Sequence, residues 1–508
     1  MRARGDILLI SCYELGHQPF HLAELLTMLR QAGYAAVPID TAVETLTDDT
    51  IRGASFVAIS VPMHTALRLG HQIALRVRSL NSSAHICFYG HYALLNAEYL
   101  LQKTADSVIG GEYEGPLIRL ITALESTPRA LPAPQAGHHP IRGMGILSGG
   151  QDTTRVPTPL NPTPTPTEMA DTDSPTLQGV RTRSFNSGPW IERSRFLVPE
   201  REQLPHLERY ARLESGGQLR LAGYTETTRG CKHMCLHCPI TPIYQGRFFA
   251  IPAEIVLADI RAQVADGAGH ITFGDPDFFN GPTHAMRITR SLHRAFPDVT
   301  FDATIKIEHL LKQRHLLPEL RDLGCAFIVS AVESINDTVL QHFDKGHTSA
   351  DVAEVFDLLE RVGIVLRPSL LPFSPWETLE SYLALLNFFE ERHLVEHIDP
   401  VHFSIRLLIP PGSALLASPD SQRWLGELDA AAYTYCWRHP DPRMDKLQCN
   451  VATLVEQAEQ AHADPIETFF AIKAMALVVA GEDLCISQAV QGYGNGKVLP
   501  HLTESWFC

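Results

Sequence analysis

Three cysteines, Cys231, Cys235 and Cys238, stand four and three residues apart in the stretch CKHMCLHC. Thiolates gathered so closely are the soft ligands that iron–sulfur centres require. Three of them hold three irons of a 4Fe–4S cube and leave the fourth iron open. Two other readings compete. Zinc would want a fourth ligand close by, which His233 or His237 could supply, and buried free thiols would need no metal at all. The preceding stretch, LRLAGYTETTRG, reads as a strand and a glycine turn, which puts the cysteines on a loop after a strand.

The chain that must position this loop has 508 residues, enough for two or three domains, and an ordinary 45% of hydrophobic residues. It contains no apolar run of eighteen residues, so no membrane helix is expected. The opening MRARGDILLISCYELG is too short in its apolar part for a signal peptide and reads as a first strand. Ten scattered cysteines without a secretory signal point to a reducing cytoplasm. The net charge of −15, with no basic stripe, argues against a nucleic-acid partner.

In residues 1–125, apolar runs (DILLISC, AAVPID, FVAISV, HICFYG, SVIGGE) alternate with helical patterns. That alternation predicts an α/β domain with a doubly wound parallel sheet, whose ligands sit at the carboxyl ends of the strands. The candidate loops are 14–20, 60–65, 90–93 and 110–114, with Gly16, Ser60 and Gly90 as candidate cofactor contacts. Residues 126–205 are rich in proline and threonine (TPLNPTPTPTEMADTDSPT) and are expected to be a largely disordered linker. Residues 206–415 carry six strand–helix repeats, the last strand over VHFSIRLLIPPGS, which predicts a partial (β/α)6 barrel. Residues 416–508 read as a helical C-terminal region ending in a cysteine tail, with SQRWLGELDAAAYTYCWRH as its first helical stretch.

The CxxxCxxC spacing on such a domain resembles the radical S-adenosylmethionine superfamily. The resemblance implies that the open iron chelates S-adenosylmethionine and reductively cleaves it to a 5′-deoxyadenosyl radical. It also gives the barrel strand ends roles. Gly274 permits close backbone approach, and the matching turn in the family holds the methionyl amino group; here it reads GDPD, with Asp275 and Asp277 as acidic acceptors. Glu333, in VSAVES, matches a glutamate that positions the nucleoside, and Ser330 on the same strand is grouped with it. Lys306 and Arg367 are cations at other strands; each is a candidate for the methionyl carboxylate or for a structural ion pair. Cys12, Cys87 and Cys325 read as small buried residues.

The N-terminal stretches ELGHQPFHLAELLTMLRQAGY, VAISVPM, CFYGHYA and DSVIGGEYE resemble the cobalamin-binding domain that precedes many radical enzymes. The aspartate–histidine motif for a lower cobalt ligand is absent, and His17 lies at the wrong spacing. Cobalamin held without a protein ligand and a domain that kept the fold but lost the cofactor are both open.

The stretches DPDFFNGP, TIKIEHLL, VSAVESIND, KGHTSADV, LRPSLLPFSPWETLESY, IRLLIPPGSALL and LTESWFC resemble the CUAEP/CCAEP-tail radical S-adenosylmethionine proteins. That family is named for a Cys–selenocysteine or Cys–Cys pair followed by Ala-Glu-Pro, which makes Cys508 the first member of such a pair and a catalytic candidate. It makes the chain a selenoprotein candidate as well: a UGA codon after Cys508 is the expectation.

Three functions follow from these readings. The first is a radical enzyme acting on a small-molecule substrate, supplied with electrons by a flavodoxin or ferredoxin, with cobalamin-dependent methyl transfer as one outcome. The second is aminocarboxypropyl transfer to a metalloid or other acceptor held by tail thiols. The third is an iron–sulfur redox or metalloid sensor.

Overall fold

The computed structural model describes residues 1–126, 177–193, 195–493 and 498–504. Its first sheet contains β1 (Ile7–Ser11), β2 (Val37–Asp40), β3 (Phe56–Ser60), β4 (His85–Tyr89), β5 (Ser107–Ile109) and β6 (Val180–Thr182), in the order β2-β1-β3-β4-β5-β6. The first five strands are parallel. β1 and β3 are buried along their whole length, as unbroken apolar strands must be when helices cover both faces. Separate apolar clusters fill those two faces. Strand order reverses between β1 and β3, which opens a crevice at their carboxyl ends.

β6 corrects the expectation for 126–205. It pairs antiparallel with β5, Ser107 opposite Thr182, inside the segment read as linker. Val180 is fully buried at this edge, and the positive φ of Gly179 (+83°) brings the chain against Trp190 and Pro116. The proline–threonine run itself lies outside the described residues.

The second sheet starts at β7 (Arg212–Ser215) and β8 (Gln218–Thr225). A short ribbon of β9 (Thr228–Gly230) and β10 (Phe248–Ala250) follows, then β11 (His270–Phe273), β12 (Thr300–Thr304), β13 (Cys325–Glu333) and β14 (Val365–Leu370). After these come a hairpin of β15 (Leu425–Asp429) with β16 (Thr434–Trp437), and β17 (His501–Leu502). The seven-stranded sheet runs β14-β13-β12-β11-β8-β7-β17; β8 and β11–β14 are parallel, while β7 and β17 extend its edge antiparallel. Helices Ala253–Ala265, Pro282–Ala295, Ser349–Val362 and Leu379–Glu391 cover its outside. The architecture is thus α/β, a doubly wound parallel sheet followed by a partial barrel and a mainly helical C-terminal region.

Two elements differ from the sequence reading. The sixth barrel strand is reduced to a 3-10 turn, Pro400–Phe403, and a single parallel bridge, Phe373 to Arg406. Pro400, Pro410 and Pro411 lack the N–H that a ladder needs, and Arg406 turns away to Asp445 and the Trp437 carbonyl. The stretch around 425–437, expected to be helical, is the β15–β16 hairpin. Tyr433 has a positive φ (+61°) at its turn, and Trp424 and Trp437 pack with Leu407, Ile409 and Leu415 in a small core of their own. The helices that follow, Pro442–Gln460, Pro465–Ala480 and Ile486–Tyr493, agree with the expectation. Among the described residues, no helix is long and apolar enough to cross a membrane.

Candidate active site

β9 ends at Gly230, whose φ of +75° and contact with the Arg247 carbonyl exclude a side chain, and the cysteine loop begins at the next residue. The loop is tied down from three sides. Lys232 N donates to Asn280 Oδ1 (3.2 Å), Leu236 N donates to the Phe343 carbonyl (2.9 Å), and Thr241 Oγ1 donates to the Cys235 carbonyl (2.8 Å). Cys235 is buried, Cys231 and Cys238 are half-buried, and all three are free thiols.

The two histidines of the loop are already engaged. His233 Nε2 lies 3.1 Å from Asp277 Oδ2, and the same oxygen lies 2.5 Å from His309 Nδ1. Burial alone would raise the Asp277 pKa, but the two imidazoles override it and hold the carboxyl at about 2. His237 Nε2 lies 3.1 Å from Glu333 Oε1, which also accepts from Lys345 Nζ at 3.1 Å. Here too burial opposes ionisation, and the Lys345 charge followed by His237 keeps the Glu333 carboxyl well below the usual range. Each loop histidine is therefore paired to a carboxylate, and the donor set that remains is three sulfurs. That set fits a cube with one uncommitted iron and does not complete the four ligands of structural zinc.

The candidate residues at the strand ends fall into separate groups. Lys306 Nζ is 3.3 Å from His233 Nδ1 and 3.4 Å from Glu308 Oε2, which joins it to the cysteine loop. Arg367 donates to Asp399 at 2.8 Å inside the barrel. Ser330 is buried, and its hydroxyl has no hydrogen-bond partner among the described residues. Asp275, expected as an ammonium acceptor, takes hydrogen bonds from Thr227 N (2.9 Å), Thr227 Oγ1 (2.7 Å) and Thr228 Oγ1 (2.6 Å). It thus clamps the loop after β11 to the corner between β8 and β9. Gly274 packs so tightly against Tyr224 that a Cβ there would lie 1.8 Å from the phenol oxygen.

Two cavities meet at that glycine. One, of 180 Å³, is the barrel lumen, walled by Thr272, Thr304, Arg367, Asp399 and Glu504. The other, of 330 Å³, lies between the two sheets and is walled by Ser60, Gly90, His91, Tyr113 and Glu226. Gly16 is not at this crevice: a Cβ there would touch Ala211 and Glu504. Neighbouring His17 is buried 3.9 Å from Glu504, away from the crevice. Cys508 lies outside the described residues.

Sequence reasoning missed the groups that close the crevice. The buried guanidinium of Arg229 bonds to Glu24 and Glu114 and reaches Glu112 at 3.3 Å. Tyr244 donates to Glu112 at 2.7 Å, and His21 lies 3.1 Å from Glu226. Arg229 stands two residues before Cys231, and its acceptors stand in GGEYEG and on the first helix; no periodicity joins such distant positions. Cobalamin would have to enter here. A cavity of 330 Å³ lies there, and the buried ion pairs of Arg229 cross from one wall to the other.

Comparison with known proteins bears on the barrel. Residues 225–388 match the model of the Radical SAM superfamily. A Radical SAM domain occupies this part of the chain. The protein carrying it is an enzyme. Over 187 residues it is 28% identical to the ribosomal protein uS12 methylthiotransferase RimO of Geobacter sulfurreducens, a match covering 33% of this chain and 39% of that protein. The chain thus spans about two fifths of the length of that curated relative. Similar folds are found in the cobalamin-dependent S-adenosylmethionine radical enzyme OxsB with aqua-cobalamin bound (TM-score 0.63, 14% identity, 92% of this chain and 72% of that one). They are found as well in the radical S-adenosylmethionine methyltransferase TsrM of Kitasatospora setae with cobalamin and a [4Fe-4S] cluster bound (TM-score 0.60, 14% identity, 96% and 97%). At these identities the likeness is one of fold.

Proposed function

We propose that this enzyme holds a 4Fe–4S cluster on Cys231, Cys235 and Cys238 and uses S-adenosylmethionine to act on a small-molecule substrate at the mouth of the barrel. The observation that carries the reading is a loop with three free thiols whose own histidines are committed to Asp277 and Glu333. When bound, the cluster supplies one electron to the sulfonium and so releases a carbon radical. The chain's own residues do the rest. Glu333, Lys345 and His237 fix the loop to β13. Asp277, His309 and Lys306 fix it to β11 and β12. Asp275 and Gly274 shape the wall beside it. A flavodoxin or ferredoxin is the fitting electron donor, and the free thiols of the described residues suit a reducing cytoplasm.

The test is anaerobic reconstitution with iron and sulfide, followed by electron paramagnetic resonance and nucleoside analysis under strong reductant. A cubane signal and 5′-deoxyadenosine are expected; neither appearing would end the reading. A second reading is favoured by the path of the chain. β17 and Glu504 deliver it to the lumen wall, four residues before Cys508. Tail thiols could then present an acceptor for the aminocarboxypropyl group, with 5′-methylthioadenosine as the nucleoside product instead.

A further inference from the structure

We infer that the barrel lumen binds a small free α-amino acid as its zwitterion, with Arg367 taking the carboxylate and Asp399 the ammonium. As the assignment of a substrate class this rests on the proposed function; as a binding site it does not. Strand register sets the inner face of the barrel. Thr304 on β12 lies opposite Val329 on β13, and Val329 lies opposite Arg367 on β14. Two residues nearer the amino ends, Thr272 of β11 lies opposite Asp302, and Asp302 opposite Phe327. Alternate residues of a strand share a face, and all of these line the lumen. Bulky branched side chains usually fill such an interior. Here threonines and charged groups leave 180 Å³ open, room for about six waters at about 30 Å³ each.

The charged groups of this lumen suit a zwitterion. Arg367 Nη2 donates to Asp399 Oδ1 at 2.8 Å, and among the described residues no other side-chain hydrogen bond uses the guanidinium or that carboxylate. A guanidinium has five N–H donors and a carboxylate about four acceptor sites, so most of the capacity of both groups is unspent. Neither is sealed off: 11% of the Arg367 side chain and 38% of that of Asp399 remain exposed, and both stand in the lumen wall. Asp399 and Glu504 also border a cleft of 620 Å³ beside the helices Pro442–Gln460 and Pro465–Ala480. The other acid groups of the lumen are accounted for. Asp302 lies 2.8 Å from His270 Nε2 and accepts from Thr272 Oγ1 at 2.7 Å. Burial raises Glu504 to about 8 and lowers His17 and His402 to about 4, so these three carry little charge at pH 7. A lone carboxylate set against Arg367 would meet Asp399, and a lone amine set against Asp399 would meet Arg367. A molecule with both charges one carbon apart offers each group its opposite, through charge-assisted hydrogen bonds. Thr304 lines the intersheet crevice as well as the lumen, so the bound amino acid would lie next to the strand ends proposed for S-adenosylmethionine.

The experiment is calorimetric titration of the full-length protein at pH 7.5 with L-alanine, L-threonine, L-valine and L-leucine. Each is set against the amine and the carboxylate that lack one of its two charges; for valine these are isobutylamine and 3-methylbutanoate. Iron content and S-adenosylmethionine cleavage are measured on the same preparation after reconstitution. At least one of the four amino acids should bind saturably, and at least tenfold tighter than both of its counterparts. Arg367→Gln should remove the preference over the amine, and Asp399→Asn the preference over the carboxylate, with unchanged circular dichroism. A merely structural ion pair would not separate the two preferences in this way. No saturable binding by any of the four, binding no tighter than that of either counterpart, or variants that keep both preferences would overturn the inference. Should a variant fail to fold or to bind, the wild-type comparison decides. If cluster and cleavage are intact but no amino acid binds, this site alone is lost. If an amino acid binds and no cluster forms, the radical reading falls and the site stands.

Discussion

The phenol of Tyr224 occupies the space where a side chain at Gly274 would begin, its oxygen 1.8 Å and its ring carbon 2.0 Å from an ideal Cβ. The same ring separates the lumen from the intersheet crevice. Gly274→Ala must therefore displace Tyr224, and overpacking of this kind costs about 1–3 kcal/mol. Urea midpoints should fall accordingly, and Tyr224→Ala in the same chain should recover much of the loss. A Gly274→Ala protein of unchanged midpoint would show that the two residues do not share this space.

Removing any one of Cys231, Cys235 and Cys238 should empty the site of iron. Alanine at each position is expected to reduce bound iron and S-adenosylmethionine cleavage to background, whereas alanine at exposed Cys436 or Cys449 should leave both unchanged. Iron assay and chromatographic detection of 5′-deoxyadenosine check this. Zinc retained stoichiometrically by the wild-type protein after iron reconstitution would contradict it.

Glu333 and Lys345 form a buried pair, and Glu333 adopts a left-handed backbone (φ +65°) to reach it. Breaking one side of such a pair strands the other charge, at a cost of about 3–5 kcal/mol. Glu333→Gln should be destabilised by that order in urea titration, and Lys345→Met added to it should restore part of the stability. A double variant no better than the single one would mean that Lys345 is satisfied elsewhere.

Buried carboxyls should make stability decline as pH rises from about 5 to about 8 and level off above that. Glu14, Glu112 and Asp275 are raised to about 7, and Glu226 and Glu504 to about 8, all mainly by burial. A carboxyl whose folded pKa exceeds its unfolded value stabilises the fold below the unfolded value and loses that contribution as pH climbs through the folded one. Each such group changes the unfolding free energy by up to about 1.4 kcal/mol per pH unit. Thermal midpoints across this range should show the decline, with a shallower slope in Glu226→Gln. A flat profile would show that these carboxyls ionise as if exposed.

The cysteine loop could be read directly from the sequence, because three thiols at fixed spacing are local information. The parallel strands of both sheets could also be read, since unbroken apolar runs such as ILLIS and FVAIS form buried parallel strands whatever follows, whereas the antiparallel edge strands β6, β7 and β17 could not. The crevice could not: Arg229 and Glu112 are 117 residues apart, and only the packing of the first sheet on the barrel brings them together. Asp275 shows a related limit. Its type and position suggest an ammonium acceptor, yet Thr227 and Thr228 fill its oxygens from within the protein. The β15–β16 hairpin escaped because its aromatic residues serve a private core, so its pattern follows neither the barrel nor the helices around it.

β17 pairs with β7 across nearly three hundred positions, and Thr503 Oγ1 accepts from Arg212 N, 291 positions away in the sequence. During synthesis on a ribosome the outer side of β7 must wait for nearly three hundred further residues to emerge before it finds this neighbour. Until then it is a bare edge open to other nascent chains. Slower production or a chaperone that shields strands should therefore raise the yield of soluble protein, while a gene cut before codon 498 should give material that clumps even though its cysteine loop is intact.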